Sequence, residues 1–301
     1  MIDGINLRQN VTNSLYLFQM DQIEQISVIK ATGERVPYSR EKLLRALIMA
    51  GAGEEQSENI ARLIEPKLYD GIPSSKIHQF VYTFLKKARS HRTAGRYKLK
   101  RAIFELGPSG YPFEKFVGKL FESFGYRVEV DVIIHGKCVQ HEVDVVAKKN
   151  DEVIIIEAKF RGDYRGKTTV RVPLYIQSRF NDIKAKWEDD DKYKNKKIKG
   201  YVATNARFTV DAIKYAECVG LGLISWDYPQ SGSLKYFIDK SGLYPLTSLR
   251  SLRKADQKLF LEKGFVLCQE LFQQQDLMRD FGFTQQKISK VLKEADLLIR
   301  S

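Results

Sequence analysis

The chain has 301 residues, 43% hydrophobic and 29% charged, with 50 Lys and Arg against 37 Asp and Glu for a formal charge of +13. That length and composition predict a soluble, globular protein of two or three domains, and the positive charge predicts a polyanionic partner, nucleic acid first and an anionic membrane second. No run of about 18 apolar residues is present, and Met1-Ile-Asp-Gly4 does not open a signal-peptide core, so the expectation is a cytoplasmic protein with no membrane partner.

Residues 1–24 show no clear period and are read as a leader of unknown role. Ser27 to Tyr38 reads as a strand, a turn at Thr32-Gly33 and a second strand. Ser39 then caps a helix whose stripe is Leu43, Leu44, Leu47 and Ile48, ended by Gly51 and Gly53. A second amphipathic helix runs from Ser57 to Leu68, and Tyr69-Asp-Gly-Ile-Pro73 turns the chain. A third starts at Ser74 or Ser75 with Ile77, Val81, Phe84 and Leu85 inward, and a fourth spans about His91 to Leu106 before Gly107-Pro108. On Val28-Ile-Lys30, the Gly33 turn, Ser39 to Lys42, Tyr69 to Ser74 and Ala102 to Leu106, residues 25–107 resemble an ATP-cone, the regulatory nucleotide-binding domain of ribonucleotide reductases. The resemblance implies ATP or dATP as an effector, with contacts at Val28, Lys30, Ser39, Lys42 and Ser74. Two ammonium groups and a helix N-terminus with its hydroxyl suit a triphosphate. Ala31 stands where the family often has Arg, which removes one phosphate-gripping cation. The plain alternative is a small helical module with solvated lysines.

From Lys86 to Arg101 the chain carries Lys86, Lys87, Arg89, Arg92, Arg96, Lys98, Lys100 and Arg101 without an acid, either a solvated face or a contact for phosphates. Gly107-Pro-Ser-Gly-Tyr-Pro112 reads as a linker. Phe113, Phe116, Val117, Leu120, Phe121 and Phe124 follow at helical spacing, and then a strand from Arg127 to Ile134. His141 to Arg161 reads as a hairpin with its turn centred between Asn150 and Asp151. That register sets Ala147 opposite Ile154, Val145 opposite Ile156, and Asp144 opposite Glu157. Like charges facing each other at roughly 5 Å repel unless a cation lies between them. Lys159 shares a strand face with Glu157. Two carboxylates able to hold Mg²⁺ or Mn²⁺, with a lysine to orient the nucleophile or steady the transition state, suit phosphodiester hydrolysis. The alternative is an ordinary hairpin whose Glu157 and Lys159 form a surface ion pair.

Asp144 followed by Glu157-Ala-Lys159 resembles the PD-(D/E)XK nucleases of the Mrr restriction-endonuclease type, with Val143 where the name-giving motif has proline. The likeness spans about residues 108–240. It implies that the first core helix supplies an acid, assigned to Glu114 with Glu122 as competitor, so that Glu114, Asp144 and Glu157 would hold the metal. It also implies that Gln177 and Arg179 of the second core helix meet the catalytic lysine or DNA phosphate. His141 is read as a strand residue, and Cys138, Cys218 and Cys268 have neither disulfide nor zinc spacing. Glu188 to Lys197 is a charged loop, and Lys199 to Trp226 reads as a strand, a helix after Phe208-Thr209, and a parallel strand. Residues 243–301 read as a helical tail, in which Leu246 to Arg253 and Lys263-Gly-Phe-Val266 faintly suggest a helix-hairpin-helix; a packing or dimerisation appendage is an equal alternative.

The expected fold is therefore an α/β multidomain chain: an ATP-cone at 25–107, mainly α-helical with short strands; a restriction-endonuclease-like core with a mixed sheet at 108–242; and the tail. The expected function is Mg²⁺- or Mn²⁺-dependent hydrolysis of DNA, regulated by the adenine nucleotide, with homo-oligomer formation open. The rivals are a nucleotide-sensing DNA-binding regulator with an idle site and an RNA-processing nuclease.

Overall fold

The structure is a computed structural model and describes residues 26–30, 32–87 and 91–300. The leader, Ala31 and Arg89 lie outside the described residues, as do the side chains of Lys86, Lys87 and Arg92. The described residues form two compact units, divided between Tyr97 and Lys98.

In the first unit, β1 (Ser27–Ile29) pairs antiparallel with β2 (Arg35–Pro37) and parallel with β3 (Ile72–Pro73). Helices α1 (Arg40–Met49), α2 (Glu54–Ile64), α3 (Ser74–Lys87) and α4 (His91–Tyr97) belong to the same unit. Ser39 caps α1 by accepting from the Lys42 N–H, and Gly51, at φ +90°, follows the helix in a conformation that costs other residues strain. Leu43, Leu47, Ile60, Ile64, Ile72, Val81 and Leu85 form the core. The Tyr69-Asp-Gly phrase does more than turn the chain. Asp70 accepts from the Ser27 N–H and hydroxyl and pairs with Arg35 at 2.9 Å, so it clips the β3 approach to the β1–β2 hairpin.

The second unit opens with α5 (Leu99–Phe104), which the sequence had continuous with α4. The unit boundary falls at Tyr97/Lys98 because Leu99 and Ile103 bury in the second unit's core. Next come α6 (Tyr111–Ser123), β4 (Arg127–His135), β5 (Gln140–Lys149) and β6 (Glu152–Lys159). They are followed by β7 (Lys167–Thr168), α7 (Arg171–Glu188), β8 (Lys197–Thr204), β9 (Arg207–Phe208), α8 (Val210–Val219) and β10 (Gly222–Ile224). The main sheet runs β10-β8-β6-β5-β4, antiparallel across β4, β5 and β6 and parallel across β6, β8 and β10; β7 and β9 pair separately. This is a mixed sheet, as expected. Helix α6 covers one face, while α7 and α8 cover the other. Helix α9 (Leu234–Ser241) and the tail, α10 (Lys254–Glu262), α11 (Gln275–Asp280) and α12 (Gln285–Ile299), pack on the α6 side. Tyr244, Leu246, Phe260 and Ile288 share one apolar cluster with Phe113, Phe116 and Val145. The tail is thus part of the core that holds α6 in place, and burial of such side chains contributes about 1.5–3 kcal/mol each.

Candidate active site

Strand β6 is apolar on both faces from Val153 to Ile156, as an interior strand must be, and then ends in Glu157-Ala-Lys159. The hairpin register is the expected one, with Ala147 opposite Ile154 and Val145 opposite Ile156. Asp144 and Glu157 fall on the next rung, where regular pairing stops. There the Asp144 Oδ2 accepts from the Ala158 N–H at 2.7 Å, taking a place in the ladder that a carbonyl would otherwise fill.

The cause lies on the neighbouring strand. Asp131 adopts φ +57°, and the β4–β5 pairing passes from Val130–Val145 to Val132–Val143 across it. Before this kink Val128, Val130, Val145 and Ala147 point into the α6 side of the core; after it Val132, Ile134 and Val143 point to the α7 side. The alternation reverses at Asp131 and Asp144, as in a bulge that re-aims side chains.

Glu114 enters from α6, its carboxylate lying over Gly110 at the start of its own helix, where a Cβ would stand 3.0 Å from Oε1. Burial, then the charges of Asp144, Asp131, Glu157 and Glu142, push its carboxyl up to about 7. Burial also raises Asp144, against the pull of the Ala158 N–H and Arg179. Glu157 is raised by burial and then by Asp144, against Arg179 and Lys159. Burial is the first cause in all three; Asp144 and Glu157 add to it at Glu114, Asp144 adds to it at Glu157, and Glu142 adds to it at Asp144.

Arg179 of α7 answers part of that charge. Its Nη1 lies 2.8 Å from Glu157 Oε2, and its Nη2 donates to the Glu142 carbonyl. Lys159 is exposed at the end of β6. Gln177 bonds within its own helix: its Nε2 donates to Asn181 at 2.9 Å, and its Oε1 is buried without a partner. Glu122 pairs with Lys119 away from the site. Asp182, further along α7, accepts from His141 at 2.7 Å and from the Cys138 and Val139 N–H groups, anchoring the β4–β5 turn. Sequence reasoning missed Asp131 and Asp182; the one trace of Asp131 is an acid inside a strand, where Asp is disfavoured.

Glu114, Asp144 and Glu157 offer hard oxygen donors whose mutual repulsion a divalent cation would relieve, so the donor set fits Mg²⁺ or Mn²⁺. Among the described residues no three acidic, His or Cys side chains are already drawn together as a metal cage. Arg179 holds one oxygen of Glu157, and the Ala158 N–H holds one of Asp144.

In the first unit the expected nucleotide residues divide into two places. Because Ile29 is level with Pro73, Lys30 comes level with Ser74, the first residue of α3. Ser39 and Lys42 follow β2 at the opposite end of β1, since Pro37 is level with Ser27. Val28 is buried in the core on the middle strand, paired with Val36 on one side and Ile72 on the other. Lys30 pairs with Glu34 at 2.9 Å, and Lys42 is exposed. Of the basic run, Lys100 lies over the Tyr164 ring and Arg101 pairs with Glu105.

Three families match in chain order: the ATP cone domain at 26–103, a restriction endonuclease family at 107–229, and the AF1548-like C-terminal family at 244–299. An uncharacterized protein of Archaeoglobus fulgidus is 30% identical over 184 residues, which is 61% of this chain and 99% of that protein. The crystal structure of AF1548, a protein of unknown function, is also 30% identical, with a TM-score of 0.52 over 64% of this chain and 98% of that one. The MspJI restriction endonuclease with a 27-mer oligonucleotide is 12% identical, with a TM-score of 0.31 over 70% of this chain and 46% of that one. No helix among the described residues is long and apolar enough to cross a membrane.

Proposed function

This chain belongs to the AF1548-like family and joins an ATP-cone to a restriction-endonuclease-type domain, and from that premise we propose that it is a Mg²⁺- or Mn²⁺-dependent nuclease. It hydrolyses phosphodiester bonds of DNA, and ATP or dATP on the cone regulates it. The observation that carries the reading is Asp144 at the parting of β5 and β6, its carboxylate on the Ala158 N–H beside Glu157 and Lys159.

Glu114, Asp144 and Glu157 would hold the metal from three different elements. When bound, the cation lowers the pKa of water and offsets charge on the phosphate. Lys159, on the strand face of Glu157, sets a positive charge at the rim, where the scissile phosphate and its attacking water would lie. Arg179 fixes the direction of Glu157 and adds a second cation on the α7 side. Lys30 and Ser74, with the first N–H groups of α3, would receive phosphates of the nucleotide.

The test is incubation with plasmid, linear, branched and RNA substrates in Mg²⁺, Mn²⁺ or EDTA. Metal-dependent cleavage of DNA is expected, and its absence on every substrate would sink the reading. The Glu157–Arg179 pair favours a second reading, in which the acids only brace the fold and the protein is a nucleotide-sensing DNA-binding regulator. That reading predicts binding with no cleavage.

A further inference from the structure

Two tyrosines stand exposed on the helices that carry Glu114 and Arg179, and a third lies in the loop after β6. Tyr111, 44% exposed, opens α6 three residues before Glu114. Tyr164, 45% exposed, follows Lys159 in the loop after β6, with its ring packed against Phe104 at 4.4 Å between centroids, so it braces the loop and leaves the open faces to the other two. Tyr175, 63% exposed, lies one turn before Arg179 on α7. Each has a cation at its ring: Lys115 at 4.7 Å from Tyr111, Lys100 at 5.0 Å from Tyr164, and Arg179 at 5.6 Å from Tyr175.

Large aromatic faces left in water are costly, and a ring with a cation beside it matches a nucleotide, which brings a flat base and a phosphate together. We infer that the mouth of the carboxylate site is a stacking rim for unpaired nucleotides, so that its substrate is DNA with a single-stranded stretch rather than continuous duplex. This rests on the nuclease reading for the chemistry, but the rim stands on its own geometry. The physical discriminator is the state of the base. In a duplex both faces of each base are already stacked on neighbours, so exposed tyrosines add nothing; in a single strand the faces are open to them. The charge of +13 supplies attraction for either form and does not choose between them.

The experiment uses the full chain in EDTA, where cleavage is prevented, and three DNAs of one sequence carrying 2-aminopurine: single strand, duplex with a single-stranded arm, and blunt duplex. The single strand and the armed duplex should bind about ten-fold or more tighter than the blunt duplex, with 2-aminopurine fluorescence quenched. Tyr111→Ala with Tyr175→Ala should lose the quenching and weaken single-strand binding roughly ten-fold per ring, with blunt-duplex binding unchanged. Tyr111→Phe with Tyr175→Phe should keep both, and melting curves will verify that each variant is folded. Equal affinity for blunt duplex and single strand, or wild-type quenching in the alanine variant, would overturn the inference. With Mn²⁺ added, cleavage of blunt duplex in preference to armed duplex would overturn it while leaving the nuclease reading intact. No cleavage of any DNA, together with tyrosine-dependent preference in EDTA, would remove the nuclease reading and uphold the rim.

Discussion

The Arg179 guanidinium lies 2.8 Å from the Glu157 carboxylate, with both side chains less than a fifth exposed. In the metal-free protein this pair partly neutralises a cluster of acids that would otherwise repel. Arg179→Met should therefore destabilise the metal-free protein by about 1–3 kcal/mol. Mn²⁺ should recover much of the loss, because the cation relieves the same repulsion. Thermal melts with and without Mn²⁺ read both effects. A variant as stable as wild type in EDTA would show that the pair holds nothing.

Asp144 has two roles that substitutions can separate. Asp144→Asn keeps an acceptor for the Ala158 N–H and removes the charge, so the metal-free protein should be as stable as wild type or more so. Asp144→Ala leaves that N–H without its partner and should cost about 1–2 kcal/mol relative to Asn. Both, like Glu157→Ala, should abolish metal-dependent cleavage while DNA is still bound. Lys159→Ala should lose cleavage and still bind Mn²⁺ by calorimetry.

Glu114 sets a pH dependence. Its carboxyl is raised from 4.5 to about 7, so the folded, metal-free protein holds a proton that the unfolded chain releases near pH 4.5. The stability contributed by that proton is present below pH 4.5 and is lost as pH rises through about 7. Comparing wild type with Glu114→Gln in EDTA, the melting temperature of wild type should fall more between pH 4.5 and 7. Mn²⁺ affinity should rise over the same window, because binding requires the carboxylate. A melting temperature with the same pH slope in both proteins would remove Glu114 from the cluster.

Asp131 tests the kink. A left-handed φ is tolerated by Asp and Gly and disfavoured for a β-branched residue. Asp131→Gly should fold normally and lower the Glu114 pKa, because one repelling charge is gone. Asp131→Val should cost about 1–2 kcal/mol, and the loss of cleavage should exceed what the stability change explains if the kink positions Asp144.

For the cone, Lys30→Ala with Lys42→Ala should abolish the effect of ATP or dATP on nuclease activity or oligomeric state and leave basal cleavage intact. Lys30→Ala alone should have the larger effect, because Lys30 is level with the N-terminus of α3 and Lys42 is not. Linkage requires that DNA change nucleotide affinity by the factor by which nucleotide changes DNA affinity. No binding of any adenine nucleotide at millimolar concentration would reassign the unit.

What the sequence determined by itself is local. The Ser39 cap, the apolar stripes of α1 and α6, the centre of the turn between Asn150 and Asp151 and the register of Ala147 with Ile154 all follow from neighbours a few residues apart, and Asp144 and Glu157 face each other by that register. What only the tertiary structure decided depends on partners far along the chain. Val128, Val130, Val132 and Ile134 alternate strictly, and alternation alone puts all four on one face. In the fold α6 claims the first pair and α7 the second, so the strand kinks at Asp131, and the acids are re-aimed there. Likewise Arg179 reaches Glu157 while Gln177 bonds to Asn181, and residues of the tail close the core around α6. A strand's periodicity records which side chains avoid water, but which helix buries them is settled only when the layers pack against each other.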